Sequence, residues 1–101
     1  MEKYPDVDGI VSTNDMVAIS IYKVLKKKDI SVPEQVQLVG FDDIEIASIM
    51  TPELTTIRQE VKTIGKKAAE IIIFDSNKGM EENNYIFPVK LIKRETTMRR
   101  V

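Results

Sequence analysis

The 101-residue chain has no cysteine, no histidine and no tryptophan. Without cysteine there is no disulfide and no thiolate, whether as nucleophile or as metal ligand. Without histidine, every triad or dyad built on an imidazole base is excluded. No stretch approaches the roughly 18 apolar residues that a membrane span needs, so no membrane partner is expected. Residues 1–6 carry no apolar core of a secretory signal. The lack of cysteine fits the cytoplasm, the expected location. Charge of one sign is missing too: 15 basic against 16 acidic residues leave a net charge of -1. No chain-wide basic face for nucleic acid follows. Two short basic clusters, Lys26-Lys27-Lys28 and Arg99-Arg100, read as a solvated helix end and a frayed tail. There is no glycine-rich phosphate loop, no internal repeat and no low-complexity segment.

What is present is an ordinary globular balance, 43% hydrophobic and 31% charged. That is enough for one small domain with a modest core. Gly9-Ile10-Val11 is a short apolar run that predicts a buried strand ending near Ser12 or Thr13. Thr13, Asn14 and Asp15 are helix-capping types, and residues 16–25 follow at helical spacing. Val17, Ala18, Ile21, Tyr22, Val24 and Leu25 fill one arc of that helix, while Ile19 falls beside Lys26 on the polar side. Residues 30–34 read as a loop and residues 36–41 as a second buried strand. A strand–helix–strand unit of this kind favours parallel strands.

Further on, residues 44–50 predict a short helix stopped by Pro52, and residues 54–58 a strand rich in β-branched residues. Residues 61–76 predict a second long helix, with Val61, Ile64, Gly65, Ala68, Ala69 and Ile72 on one face. Asn77-Lys78-Gly79 is a stop signal, and residues 81–84 a polar loop. Residues 85–95 predict an edge strand interrupted by Pro88, and residues 96–101 a tail. The order is that of an α/β fold, doubly wound on a mostly parallel sheet.

In open parallel sheets, ligands sit beyond the carboxyl ends of the strands. Both predicted parallel strands end in polar pairs there, Asn14-Asp15 and Asp42-Asp43. An amide and a carboxylate offer a mixed donor–acceptor surface suited to sugar hydroxyls or a nucleobase edge. Helix capping accounts for one residue of each pair, not for two in a row at both ends. A capping-only reading and a ligand site both remain open on spacing alone. Catalysis is disfavoured: no second carboxylate is placed across a substrate as in glycosidases. A divalent cation held by Asp15, Asp42 and Asp43 would make a receiver-like phospho-acceptor. The acidic pair stands on the wrong strand for that, and no lysine ends a later one.

The blocks Gly9-Ile10-Val11-Ser12-Thr13-Asn14-Asp15-Met16-Val17-Ala18, Val32-Pro33-Glu34 with Val36-Gln37-Leu38-Val39-Gly40-Phe41-Asp42-Asp43, and Thr51-Pro52-Glu53-Leu54-Thr55-Thr56-Ile57-Arg58-Gln59 occur in that order. With the helix from Val61 to Phe74 and Lys93-Arg94-Glu95-Thr96-Thr97, they resemble the C-terminal part of LacI/GalR (lac repressor-type) transcription regulators. The resemblance runs from about residue 6 to residue 97. It implies part of a type I periplasmic-binding-protein-like lobe that closes, with a second lobe, on a sugar or purine effector. It also implies a helix-turn-helix head, through which alone DNA is bound. By that comparison the head and most of the first lobe would lie outside these residues. The resemblance assigns Asn14 and Asp42 as effector contacts, and Gln59 as a position near the effector in some relatives. Asp15 and Asp43 are then left as caps. No cofactor or metal is implied, and no enzymatic activity. A homodimer is implied, with Ala18, Ile19, Tyr22, Ile46 and Met50 on its surfaces. That gives one reason for Ile19 on a polar side, and a lone exposed isoleucine needing no reason is the other. The helix at 61–74 needs an apolar partner, and the elements together leave much apolar surface uncovered. A fragment of a periplasmic sugar-binding transport protein is the alternative within the same fold.

Overall fold

The computed structural model describes residues 3–74 and 85–99. The expected stop signal at 77–79, the polar loop at 81–84, and Arg100 and Val101 lie outside the described residues. The element order is β1 (Gly9–Val11), α1 (Asp15–Lys27), β2 (Gln37–Val39), a single 3-10 turn (Glu45–Ser48), β3 (Thr56–Gln59), α2 (Val61–Phe74) and β4 (Val89–Ile92). The chain divides into two units, residues 1–58 with 90–101, and residues 59–89.

In the first unit, β1 and β2 pair in parallel, with Ile10 opposite Leu38. The crossover between them is α1, as the sequence order requires. Asn14 caps α1: its Oδ1 accepts from Val17 N at 2.9 Å. Lys26 and Lys27 close the helix, where cations complement its dipole. Asp29 then takes a φ of 58°, the left-handed residue that commonly follows a helix end.

On its other edge β2 is satisfied by two different segments. Gly40 N donates to Thr55 O at 2.9 Å and Asp42 N to Ile57 O at 2.8 Å, which brings β3 alongside. Leu38 N donates to Thr96 O at 2.9 Å. Thr96 Oγ1 donates to Leu38 O at 2.7 Å and accepts from Thr55 N at 2.8 Å. The segment expected as a tail is therefore a staple between β2 and the start of β3, and Thr96 is fully buried. Buried backbone groups need partners, and one threonine supplies both groups of Leu38 and the N–H of Thr55 while its own N–H donates to Glu53 O. β3 and β4 form a second two-stranded sheet.

The core is Ala18, Leu38, Ala47 and Leu54, all without exposure, with Ile10, Ile19, Ile21, Tyr22, Val32 and Met50 packed against it. Ile19 thus belongs to the core side, contrary to its place on the ideal wheel. Val17 and Val24, expected on the buried arc, are 41% and 51% exposed. The helix meets its sheet through a narrower stripe, centred on Ala18 and Leu25, than its apolar arc would allow.

In the second unit, α2 covers residues 61–74 of the expected 61–76, the last two lying outside the described residues, yet none of its residues is buried. Val61, Ile72, Ile73 and Phe74 are exposed, and a Cβ at Gly65 would meet nothing. Lys67 Nζ stands 4.7 Å from the centre of the Tyr85 ring, a cation–π contact within this unit.

Candidate functional site

The turn after β1 is organised by short side chains. Ser12 Oγ lies 2.8 Å from Asn14 O and 3.2 Å from Val39 O, which fixes the exit of the strand. Asn14 is half-buried and spends its Oδ1 on the helix cap. Its amide nitrogen is left as the group able to meet a ligand.

Asp15 does not cap. It has no exposure at all, and both of its oxygens are engaged. Thr56 Oγ1 donates to Oδ1 at 2.5 Å and Ile44 N donates to Oδ2 at 2.8 Å. The first-turn N–H groups of α1 add favourable dipole. Among the described residues no cation is bonded to this carboxylate, so hydrogen bonds carry its burial. A Cβ at Gly40 would overlap the Asp15 carboxylate, so only glycine leaves room for it. The expectation of Asp15 as a cap missed this because Asn14, one residue earlier, already fills that role.

The turn after β2 takes two left-handed steps, φ 120° at Asp42 and 58° at Asp43. Aspartate tolerates positive φ better than most residues, but 120° lies beyond its usual left-handed basin. Asp43 does not cap the 3-10 turn either: the cap position is Ile44, and it makes no side-chain bond. Asp43 instead accepts from Arg58 Nε at 2.7 Å and Arg94 Nη2 at 2.8 Å, with only 8% of its side chain exposed. Arg94 Nη1 also donates to Leu54 O at 3.0 Å. Burial pushes the Asp43 carboxyl up, but the hydrogen bonds and charges of Arg58 and Arg94 outweigh it and hold it below its ordinary value. The backbone of the same residue donates to Thr56 Oγ1 at 3.3 Å.

The two turns are tied together. Asp15 N donates to Phe41 O at 3.0 Å, so the residue after Asn14 and the residue before Asp42 are hydrogen-bonded neighbours. Thr56 bridges both turns through one hydroxyl. Asp42 itself is exposed. Gln59, the last residue of β3, is half-buried and belongs to the other unit.

Of the residues expected on dimer surfaces, Ala18 is fully buried in the core and presents no surface to a partner. Ile19 and Tyr22 are half-buried against the same core, and Tyr22 Oη donates to Thr51 O at 3.4 Å. Ile46 is 47% exposed, Met50 is half-buried, and Ile49, not singled out from sequence, is 66% exposed. The cation site of Asp15, Asp42 and Asp43 does not form: among the described residues no acidic group of three could hold a metal ion. A groove of about 520 Å³ lies along α1 beside β1, lined by Ile10, Met16, Val17 and Val24 among others. It is open and mainly apolar, and its one polar lining residue, Ser20, donates its hydroxyl to Met16 O at 3.1 Å.

Residues 1–97 match the model of the periplasmic binding protein-like domain. The chain belongs to that family. Among its relatives is the ribose operon repressor of Halalkalibacterium halodurans, 33% identical over 96% of this chain. The transcriptional repressor PurR of Vibrio cholerae is 33% identical over 95% of this chain. This chain spans only 30% and 28% of those two relatives. Among solved structures it is similar to a periplasmic binding protein/LacI transcriptional regulator from Alkaliphilus metalliredigens complexed with D-xylulofuranose, with TM-score 0.81 and 40% identity over 91% of this chain and 35% of that one. It is also similar to a sugar-binding LacI-family regulator from Escherichia coli, with TM-score 0.82 and 32% identity over 96% of this chain and 35% of that one. Within the periplasmic binding protein-like family it is thus of the LacI/GalR type, and its two short sheets are part of a type I lobe. No helix among the described residues is long and apolar enough to cross a membrane.

Proposed function

We infer that this chain is the effector-sensing part of a LacI/GalR-type transcriptional regulator, and that Asn14 and Asp42 contact the effector. The observation that supports the reading is the pairing of two adjacent parallel strands whose following turns, one with Asn14 and one with Asp42, are tied by the hydrogen bond from Asp15 N to Phe41 O. Asn14 offers its amide nitrogen and Asp42 its carboxylate, a donor and an acceptor for neighbouring hydroxyls of a sugar or for the edge of a purine. The protein performs no catalysis and works in the cytoplasm. DNA is bound by a head beyond these residues, and the regulator acts as a homodimer through the exposed surface at Ile46, Ile49 and Met50, beside Tyr22.

The test is calorimetric titration of the intact protein with D-ribose, D-xylulose, lactose, cellobiose and hypoxanthine. One of them should bind, and Asn14→Ser and Asp42→Ala should each weaken it by about tenfold or more. A bound sugar indifferent to both substitutions would remove the site assignment. Transport rather than regulation is the competing reading, since the matched domain is periplasmic binding protein-like. Specific operator retention by the intact protein, released by the bound sugar, separates the two.

A further inference from the structure

We propose that Asp15 and Asp43 are positioning residues of the effector site: neither meets the ligand, and together they set where Asn14 and Asp42 stand. The proposal rests on the reading of Asn14 and Asp42 as effector contacts. Its ground is the division of labour within each pair. In the first, Asn14 is half-buried at the helix end, while Asp15 turns inward with no exposure. In the second, Asp42 is exposed, while Asp43 turns into two guanidinium groups.

The backbone gives an independent argument. A non-glycine residue at φ 120° is strained, and such strain persists only where the surroundings over-determine it. Here the surroundings come from three directions. Asp15, from the start of α1, holds Ile44 N at 2.8 Å, two residues past Asp42. Arg58 of β3 and Arg94, just beyond β4, hold the Asp43 carboxylate. Asp42 N is held by Ile57 O at 2.8 Å. With both flanks of Asp42 fixed, its φ has no room to relax. Asp15 is also covalently next to Asn14. One buried carboxylate therefore fixes the helix end that carries the first contact and the turn that carries the second. A site whose contacts must keep their spacing within a fraction of an ångström needs such support. Thr56 completes it, donating to Asp15 and accepting from Asp43 N through one hydroxyl.

The test keeps both contacts and loosens what holds them. Thr56→Val removes the bridging hydroxyl, Thr56→Ser keeps it, and Arg94→Gln weakens the clamp on Asp43 from the other side. Two readouts are taken on the intact protein: the three-bond HN–Hα coupling of Asp42, which separates its positive φ from extended backbone, and affinity for D-ribose. Thr56→Val and Arg94→Gln should each move the Asp42 coupling toward an averaged value and weaken D-ribose about tenfold. Thr56→Ser should restore both, which a general loss of stability would not do. If Thr56→Val does not fold, Arg94→Gln alone carries the comparison. The proposal is overturned if the coupling stays as in the wild type in folded variants, or if it changes while affinity does not. Should D-ribose fail to bind the wild type, the affinity readout uses whichever of the other four titrated ligands binds; should none of the five bind, or should binding be unweakened in Asn14→Ser and Asp42→Ala, the sensor reading falls, and the Asp42 coupling by itself still decides whether the two carboxylates hold the turn.

Discussion

The turns after β1 and β2 both end in a polar pair, and both anchor the second member, but by different physics. Asp15 is wholly buried and is met by an N–H and a hydroxyl. Asp43 keeps 8% of its side chain exposed and is met by two arginines. A buried carboxylate without a cation depends on each hydrogen bond, because any lost one leaves a desolvated charge. A carboxylate between two guanidiniums near the surface is held by charge, which water and salt partly screen. The first anchor should therefore be the more costly to remove, and the second the more sensitive to salt.

The largest expected effect breaks the first anchor. Asp15→Ala should lower stability by about 3–5 kcal/mol in urea unfolding, because Ile44 N–H and the Thr56 hydroxyl lose a charged partner in the interior. A loss below about 1 kcal/mol would mean the carboxylate is not the tie described.

Next is Gly40→Ala, whose Cβ would collide with the same carboxylate. We expect about 1–3 kcal/mol of destabilisation. In an Asp15→Ala background most of that penalty should vanish. A double-mutant cycle that proves additive would show that the collision is not the cause.

The second anchor is tested by Asp43→Asn against pH. Asp43 has a folded-state value lowered below its ordinary one. Its stabilisation is thus fully present above the unfolded carboxylate value of about 4 and is lost as pH falls through the lowered folded value. The stability gap between wild type and Asp43→Asn should be constant near neutrality and close in acid. A gap that widens as pH falls would contradict the assigned shift.

The smallest stability effects fall on the first members of the pairs. Asn14→Ala should cost about 1 kcal/mol through the lost cap, and Asn14→Ser within about 0.5 kcal/mol of nothing, because serine caps as well. Asp42→Ala should cost about 1 kcal/mol as well, because alanine tolerates the positive φ less readily than aspartate. Thermal unfolding beside sugar titration checks the contrast: ligand affinity falls where stability barely moves. If Asp42→Ala unfolds the protein, the division of labour is wrong.

Much of the fold could be read from local pattern. The start of α2 and the parallel pair β1 and β2 follow from periodicity and punctuation, whereas the last strand, expected over 85–95, is only Val89–Ile92 and begins after Pro88. What pattern misjudged was depth. α1 and α2 have similar amphipathic faces, yet α1 buries Ala18 and Leu25 while α2 buries nothing. An apolar stripe records what could be covered, and only a neighbouring element decides whether it is. Ile19 and Thr96 show the same limit from the other side, one expected on a polar face and one in a tail, both drawn inward by partners distant in sequence.

The sequence by itself determined that the chain is α/β, that its two parallel strands end in Asn14-Asp15 and Asp42-Asp43, and that no imidazole or thiolate chemistry is available. Those facts depend on residue type and short spacing, which a linear chain displays. The tertiary structure decided which residue of each pair turns inward. Asp15 meets Thr56 across 41 positions of sequence, and Asp43 meets Arg58 across 15. Only folding brings such groups together, and a carboxylate goes where its charge finds donors.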